Sequence, residues 1–267
     1  MNYPPTLMLK LQKLVVCGMW DVIVIGGGVI GCAITRRFAL SGAKVLLLER
    51  GADILSGASK ANSAILHSGF DAPAESLELA CIKEGYREYL EISHKMNLPT
   101  MECGALVVAW NEDQLEKLSG IVDVAHNNGL MDVAQIDRKT LLYRESKLSE
   151  KALGAVEVPR EFVIDPWSAP LAYLIEAVRA GAEYRFNAEV TSGEFDGNRW
   201  HISTGKKTYV STITINCTGT NGDHIEKICG EADFEIRPRK GQFLVFDKSA
   251  SSLIDAIILP VPTPMTK

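Results

Sequence analysis

The chain has 267 residues, a formal net charge of −5, 46% hydrophobic residues and 23% charged residues. This composition excludes an intrinsically disordered chain and supplies enough apolar residues for one large domain or two modest ones. The mild acidity gives no reason to expect a nucleic acid partner. Six scattered cysteines without a C-x-x-C pair favour reduced thiols in a cytoplasmic protein over a disulfide framework or a metal site.

Residues 1–19 precede the first predicted strand and contain the apolar stretch LMLKLQKLVV. The stretch is too short to span a bilayer, and it lacks the small-residue cleavage site of a signal peptide. Leu7, Leu11 and Leu14 could share one helix face, so we expect a leader that packs on the domain. The alternative is a peripheral membrane anchor, which would make the protein cytoplasmic but peripheral to the inner membrane.

The stretch Asp21–Arg50 predicts a strand, a glycine turn, a helix and a second strand in immediate succession. Its glycine turn, GGGVIG, fits the pattern G-x-G-x-x-G. The first glycine of this pattern permits a tight turn, the second the approach of a pyrophosphate, and the third close helix–strand packing. The helix N-terminus adds N–H groups and a positive dipole end. We therefore predict that Gly26, Gly28 and Gly31 bind a dinucleotide.

Glu49 ends the second strand, where its carboxylate could accept a hydrogen bond from a ribose 2′-OH. A carboxylate here argues against the 2′-phosphate of NADP but does not separate NAD from FAD. Residues 51–71 then form a long loop rich in small residues, and such a loop inside a compact domain is usually functional. Ser59, Asn62 and Ser63 supply neutral hydrogen-bonding groups there; the alternative is a solvated connector.

The remaining pattern predicts further helices and strands rather than a direct αβαβ alternation after Glu49. Helices are predicted over residues 75–94, 111–128, 138–144 and 165–179, the last with Asp165 as its cap and Pro166 in its first turn. Strands are predicted over residues 104–110, 153–158, 162–164, 211–216 and 242–246, with a hairpin around Asp196-Gly197-Asn198. The strand over 211–216 ends in a glycine turn, so we expect it at the ligand-binding carboxyl edge of a parallel sheet.

Several of these segments together resemble a known family. The segments are GGGVIG, the Glu49-Arg50 pair, SKANSAILHSGFD, CGALVVA, the helix start at Asp165-Pro166, NCTG and RPRKGQFLVFD. Their order resembles that of FAD-dependent oxidoreductases of the D-amino-acid-oxidase/glycerol-3-phosphate-dehydrogenase superfamily, and most of all the large subunit of anaerobic-type glycerol-3-phosphate dehydrogenase. The resemblance runs from about Asp21 to Lys267.

This resemblance implies FAD as the cofactor and an α/β fold. The fold would contain a discontinuous Rossmann-like FAD-binding domain, residues 20–95 and 150–230, with an inserted α+β substrate domain, residues 96–149 and 231–267. Glu49 and Arg50 would lie near the adenosine ribose, and Val190 would contact the adenine side through its backbone. Gly219 would pack against the cofactor, and the loop from Ser59 to His67 would follow the pyrophosphate toward the flavin. Members of the family continue past the point where this sequence stops, so we expect weak turnover from residues 1–267 alone.

Oxidation of an alcohol or amine at a flavin needs an acceptor for the O–H or N–H proton and a cation for an anionic substrate. His67 is the candidate acceptor, and a structural hydrogen-bonding role is its alternative. Arg237 and Arg239 are the candidate cations, and a solvated face is the alternative interpretation of this basic run.

These residues and the resemblance predict that the protein dehydrogenates a small anionic hydroxy compound. The first candidate substrate is sn-glycerol 3-phosphate. Electrons would pass from the flavin to a quinone or another electron-transfer partner. L-2-hydroxyglutarate or an amino acid is the alternative substrate, and a non-catalytic FAD-binding remnant is the alternative of a different class.

Overall fold

The computed structural model describes residues 15–205, 207–230 and 232–263, with side chains from residue 18 onward. The chain divides into two compact units. The first unit comprises the residues up to Asn62 together with Pro166–Gly241, and the second comprises Ser63–Asp165 together with the residues from Gln242 onward. Residues 1–14, which make up most of the predicted leader, lie outside the described residues, and residues 15–19 belong to the first strand.

The described helices and strands follow one another in mixed α/β order. In chain order they are β1 (Val15–Ile25), α1 (Val29–Leu40), β2 (Val45–Leu48), β3 (Ile65–Leu66), α2 (Leu77–Met96), β4 (Thr100–Met101), β5 (Ala105–Ala109), α3 (Glu112–Asn127), β6 (Ala134–Asp137), α4 (Arg138–Arg144), β7 (Gly154–Val158), β8 (Phe162–Ile164), α5 (Ser168–Arg179), β9 (Glu183–Arg185), β10 (Ser192–Phe195), β11 (Trp200–Ser203), β12 (Lys207–Asn216), α6 (Gly222–Cys229) and β13 (Ile257–Pro260). Short 3-10 turns lie at Ala58–Lys60, Gly219–Asn221 and Lys248–Leu253.

The first unit is built on a six-stranded sheet in the order β10-β11-β12-β1-β2-β9. The strands β12, β1, β2 and β9 are parallel, whereas β10 and β11 form an antiparallel hairpin that continues into β12. In the parallel register Ile25 lies opposite Asn216, so the glycine turn after β1 and the turn after β12 leave the same edge of the sheet. Both the predicted hairpin and the predicted position of the 211–216 strand are confirmed.

Alternation along β1 decides which helices cover each face of this sheet. Val22 and Val24 belong to one buried cluster with residues of α1 and α5, including Cys32 and Leu174. Ile23 and Ile25 belong to a cluster on the opposite face, which residues of the hairpin and of α6 complete. Because both faces are covered, every residue of β2 is buried, as a central parallel strand requires.

The second unit contains a four-stranded sheet, in the order β13-β5-β7-β6, and a small three-stranded sheet, in the order β3-β8-β4. All five residues of β5 are buried. Val107 packs in one cluster with Leu118 of α3, while Leu106 and Val108 pack in another with Leu141 of α4. No described helix of either unit is long and apolar enough to cross a bilayer.

Two local predictions are wrong. Residues 242–246 form no strand: no described residue pairs with their backbone, and Leu244 and Val245 are 88% and 94% exposed. A strand needs a ladder partner to satisfy its N–H and C=O groups, so the apolar pattern alone did not suffice. Asp165 is not the N-cap of α5, because the helix begins at Ser168, two residues after Pro166, with Trp167 as the N-cap.

The unit boundaries also differ from the expected domain boundaries. Residues 63–95 and 150–165, expected in the FAD-binding domain, belong to the second compact unit, and residues 232–241 belong to the first. The physical reason is pairing: β3 and β4 both hydrogen-bond to β8, which ties the end of the long loop to the strand that precedes α5.

Candidate cofactor site

A cavity of about 580 Å³ opens at the sheet edge where β1, β2 and β12 end, and all of its lining residues belong to the first unit. This volume is typical of a small-molecule or cofactor site. Seven of the predicted cofactor residues line it: Gly26, Gly28, Glu49, Arg50, Ser59, Val190 and Gly219. The structure therefore brings together residues that the sequence spreads over almost 200 positions, at the edge where parallel sheets bind ligands.

The three glycines of the turn have different structural roles. Gly26 has a φ of +105°, and a Cβ there would lie 2.5 Å from the carbonyl oxygen of Cys217. A Cβ on Gly31 would collide with the carbonyl oxygen of Gly26. Gly28 differs, since its φ is −74° and the nearest atom to an added Cβ is Ser59 Oγ at 3.2 Å. Gly26 and Gly31 are thus required by the fold, while the space at Gly28 belongs to the cavity.

The start of α1 presents hydrogen-bond donors beside this cavity. The Val29 N–H donates to Ser59 Oγ at 3.1 Å. The N–H groups of Ile30 and Gly31 have no hydrogen-bond partner among the described residues, and Ile30 lines the cavity. These N–H donors lie at a helix N-terminus, next to Gly28, which has no side chain. Together they form a cradle that fits a pyrophosphate.

Glu49 connects the end of β2 to the glycine turn. Its Oε2 accepts a hydrogen bond from the Gly27 N–H at 2.6 Å, and its Oε1 accepts one from the Gly51 N–H at 2.7 Å. The side chain is buried yet lines the cavity. Each carboxylate oxygen can accept a second hydrogen bond, so the residue can hold the turn and still bind a ribose hydroxyl. Arg50, which follows it, is exposed.

The opposite wall of the cavity presents backbone groups and the turn after β12. Val190 is buried, and its N–H and C=O have no hydrogen-bond partner in the part of the chain that the structure describes. They are therefore available to the edge of a base. Asn216 organises the facing turn: its Oδ1 accepts from the Thr218 N–H and O–H, and its Nδ2 donates to the Gly222 carbonyl. Gly219 within this turn has a φ of +58°.

Asn62 and Ser63 do not line the cavity. The Asn62 Nδ2 donates to the Ser59 carbonyl at 3.2 Å, and both side chains are exposed. The division between the two units falls between these residues. Their predicted contact with the cofactor, like that of the lining residues, stays a prediction.

His67 belongs to the second unit and pairs with a buried acid that the sequence analysis missed. Its Nδ1 lies 2.9 Å from Oε2 of Glu161, whose side chain has no exposed surface. Glu161 raises the pKa of His67 through this contact and through its charge; burial opposes the shift, and Asp71 adds to it. A single acid in the turn between β7 and β8 carries no sequence signal, so only the tertiary contact identifies it.

The candidate cations lie in the irregular segment after α6. Arg237 Nη2 lies 3.1 Å from Oε2 of Glu235, and this ion pair is exposed. Arg239 is also exposed. Both belong to the first unit rather than to the substrate domain in which they were expected. His224 is exposed and also lines the cavity, with Phe234 and Ile236. No group of three or more His, Cys, Asp or Glu among the described residues could hold a metal ion.

Comparison with known families assigns residues 21–267 to the family described as DAO, FAD dependent oxidoreductase. This match confirms the predicted class of enzyme and the prediction of FAD as cofactor. The cradle at Gly28 and the N–H groups at the start of α1 fit that cofactor.

Individual relatives agree with the family match. The chain is 30% identical to a glycerol 3-phosphate dehydrogenase of Caloramator mitchellensis over 93% of its own length and 52% of the relative's. It is 25% identical to an L-2-hydroxyglutarate dehydrogenase of Indibacter alkaliphilus, over 92% of this chain and 62% of that protein. The chain thus spans between half and two thirds of the length of these relatives.

A solved structure confirms the fold class. The dithionite-reduced L-alpha-glycerophosphate oxidase of Mycoplasma pneumoniae, with FAD bound, superimposes with a TM-score of 0.80 at 21% identity. The match covers 93% of this chain and 66% of that one. At this identity the comparison shows the fold alone.

Proposed function

We propose that this protein, which belongs to the FAD dependent oxidoreductase family, oxidises a small anionic hydroxy compound. Our first candidate substrate is sn-glycerol 3-phosphate. The observation that carries this choice is the 30% identity to a glycerol 3-phosphate dehydrogenase over 93% of the chain. FAD supplies the hydride acceptor for such a reaction, while the protein binds, orients and handles the substrate proton.

In this proposal the first unit holds the adenosine half of FAD. The N–H groups of Ile30 and Gly31 would donate to the pyrophosphate, and the absence of a side chain at Gly28 would leave room for it. Glu49 accepts from the ribose hydroxyls while its hydrogen bonds to the glycine turn hold it in place. The backbone of Val190, buried and without a described partner, binds the adenine edge.

The proton of the substrate hydroxyl passes to His67 in this proposal. A neutral imidazole is needed for that step, so the rate should fall as pH drops below the raised pKa of His67. One of the two arginines, Arg237 or Arg239, binds the phosphate, because a guanidinium can donate two parallel hydrogen bonds to an anion. Both side chains are exposed enough to reach a ligand.

The electron acceptor and the location follow as further parts of the proposal. A quinone or another electron-transfer partner reoxidises the flavin, and the protein is cytoplasmic or peripheral to the inner membrane. Reduction of a soluble quinone analogue under anaerobic conditions tests this part separately from substrate oxidation. A flavin that substrate reduces but quinone does not reoxidise would contradict it.

A second candidate substrate is L-2-hydroxyglutarate, favoured by the relative that is 25% identical over 92% of this chain. It also joins a secondary hydroxyl to an anionic end, so the same proton acceptor and cation would serve it. An assay that offers both compounds is therefore needed to distinguish them.

The test is anaerobic substrate titration of the flavin-loaded protein, expressed from its complete natural reading frame. Loss of the oxidised flavin absorbance band would be followed with glycerol 3-phosphate, L-2-hydroxyglutarate, glycerol and glycine. We expect bleaching with glycerol 3-phosphate and none with glycerol, because glycerol lacks the anion. Preferential bleaching with L-2-hydroxyglutarate would select the second candidate. Bleaching only with glycine would overturn the hydroxy-compound class altogether.

A further inference from the structure

Glu161 is a wholly buried carboxyl group held by a small set of donors. The N–H and the O–H of Ser68 both donate to its Oε1 at 2.6 Å. A buried carboxylate is costly unless donors compensate for its lost hydration. These two hydrogen bonds fix the carboxyl plane and leave Oε2 for a third donor.

His67 is the polar group that reaches this remaining oxygen. Its Nδ1 lies 2.9 Å from Oε2, within ion-pair distance, and no described donor makes a hydrogen bond of regular geometry to that atom. If the ring turned away, Oε2 would lose this contact with an imidazole N–H, and a buried carboxylate oxygen without such compensation is costly. The arrangement therefore favours one ring position, with the proton on Nδ1.

The second nitrogen of the same ring stays available. About half of the His67 side chain is exposed, at 49%, and no described residue hydrogen-bonds to its Nε2. A carboxylate that holds one nitrogen of an imidazole as N–H leaves the other as a lone-pair acceptor. This is the tautomer that a proton acceptor requires.

We propose that Glu161 is a positioning residue that holds His67 as the Nδ1–H tautomer and so presents Nε2 to the substrate hydroxyl. The inference rests on the proposed function, in which His67 takes the hydroxyl proton. In that step the substrate O–H bond breaks and its proton binds Nε2. FAD, when bound, would accept the adjacent C–H hydrogen as a hydride, and the substrate would become a ketone. The carboxylate of Glu161 stabilises the resulting imidazolium.

The charges near the ring act in the same direction. Glu161 and Asp71 both favour the protonated form of His67, whereas burial disfavours it. Burial raises the pKa of Asp71; a backbone hydrogen bond and the charge of His67 oppose this shift, and the charges of Glu161 and Glu78 add to it. Removing the charge of Glu161 should therefore lower the pKa of His67, because the burial effect remains while the largest opposing one is lost.

The experiment is nitrogen and proton NMR of the histidine rings in the flavin-loaded protein, with His67→Asn used to assign the signal. In the wild-type protein above the pKa of His67, we expect a protonated Nδ1 and an unprotonated Nε2. In Glu161→Gln we expect the pKa of His67 to fall, because its largest raising contribution is lost. The acid limb of kcat/KM should move by the same amount. The plateau of kcat should fall by up to the roughly 10²–10⁴-fold that general-base loss costs, and Glu161→Asp should restore part of it.

The chain offers a matched control. His201 Nε2 lies 2.8 Å from Oδ2 of Asp196 in an exposed hairpin pair of the first unit. Asp196→Asn should change the His201 signal and leave both the His67 titration and kcat unaltered.

Three outcomes decide the inference. An Nε2–H tautomer in the wild-type protein would overturn it without any variant, so the test survives even if Glu161→Gln fails to fold. An unchanged pKa of His67 in folded Glu161→Gln would also overturn it. The expected NMR result combined with a normal kcat in His67→Ala would instead overturn the role of His67 in the proposed function, while supporting the Glu161–His67 pair.

Discussion

The roles of the glycines can be separated by adding one methyl group at a time. In Gly28→Ala the new Cβ has a suitable φ of −74° and meets Ser59 Oγ at 3.2 Å, a side-chain atom that can shift. Gly28 is the N-cap of α1 and makes no side-chain cap, so alanine there should cost only part of the roughly 0.5–2 kcal/mol that loss of a capping side chain costs. We therefore expect a modest loss of stability in the flavin-free protein.

The same methyl group should weaken FAD binding more than it weakens folding. It occupies cavity space next to the donors at the start of α1. Overpacking by one methyl group costs about 1–3 kcal/mol, which corresponds to a dissociation constant raised roughly 5- to 150-fold. In Gly31→Ala the Cβ meets the fixed carbonyl oxygen of Gly26 instead, so helix and strand must separate. There we expect a loss of stability at or beyond about 3 kcal/mol, the upper end of the same range.

The assay pairs two measurements on flavin-free protein: denaturant unfolding and fluorescence titration with FAD. Gly120→Ala is the control, because Gly120 lies within α3 with open space around its Cβ position. It should stabilise the protein by about 0.5–1 kcal/mol and leave FAD affinity unchanged. Wild-type FAD affinity in Gly28→Ala, or wild-type stability in Gly31→Ala, would refute the reasoning.

Four further results are expected. Glu49→Gln should lower the stability of the flavin-free protein by about 1–3 kcal/mol, because an amide nitrogen would face one of two backbone N–H donors; unchanged denaturation midpoints would contradict this. His67→Ala, at equal FAD occupancy, should depress kcat by roughly 10²–10⁴-fold, and a near-normal kcat would make it structural. Arg237→Ala or Arg239→Ala should raise KM for glycerol 3-phosphate with little change in kcat; unchanged KM in both would indicate a solvated face. Because the folded pKa of His67 is raised, its contribution to stability is present below about pH 6.5 and is lost as pH rises through the folded pKa. Glu161→Gln should remove that loss from pH-dependent unfolding curves.

The strand, glycine turn, helix and second strand that begin the cofactor site could be predicted from local sequence. The glycine turn, the apolar strands on either side and the acid at Glu49 are close in sequence, and each has a steric or hydrogen-bonding reason of its own. A buried parallel strand, a turn that only glycine permits and a helix start are local properties. For that reason the predicted β1, α1 and β2 agree with the structure to within a few residues at all but one end, where β1 begins at Val15 rather than Asp21.

The tertiary structure alone decided the features that depend on distant partners. The apolar run at 242–246 has the composition of a strand but no described partner, so the sequence pattern could not decide its state. Pairing of β3 and β4 with β8 placed the unit boundary at Asn62 rather than at residue 95. The contact of Glu161 with His67 joins residues 94 positions apart, and burial gives that acid its importance. Composition and spacing describe a residue's neighbours along the chain, whereas hydrogen-bond partners and burial depend on residues that only folding brings together.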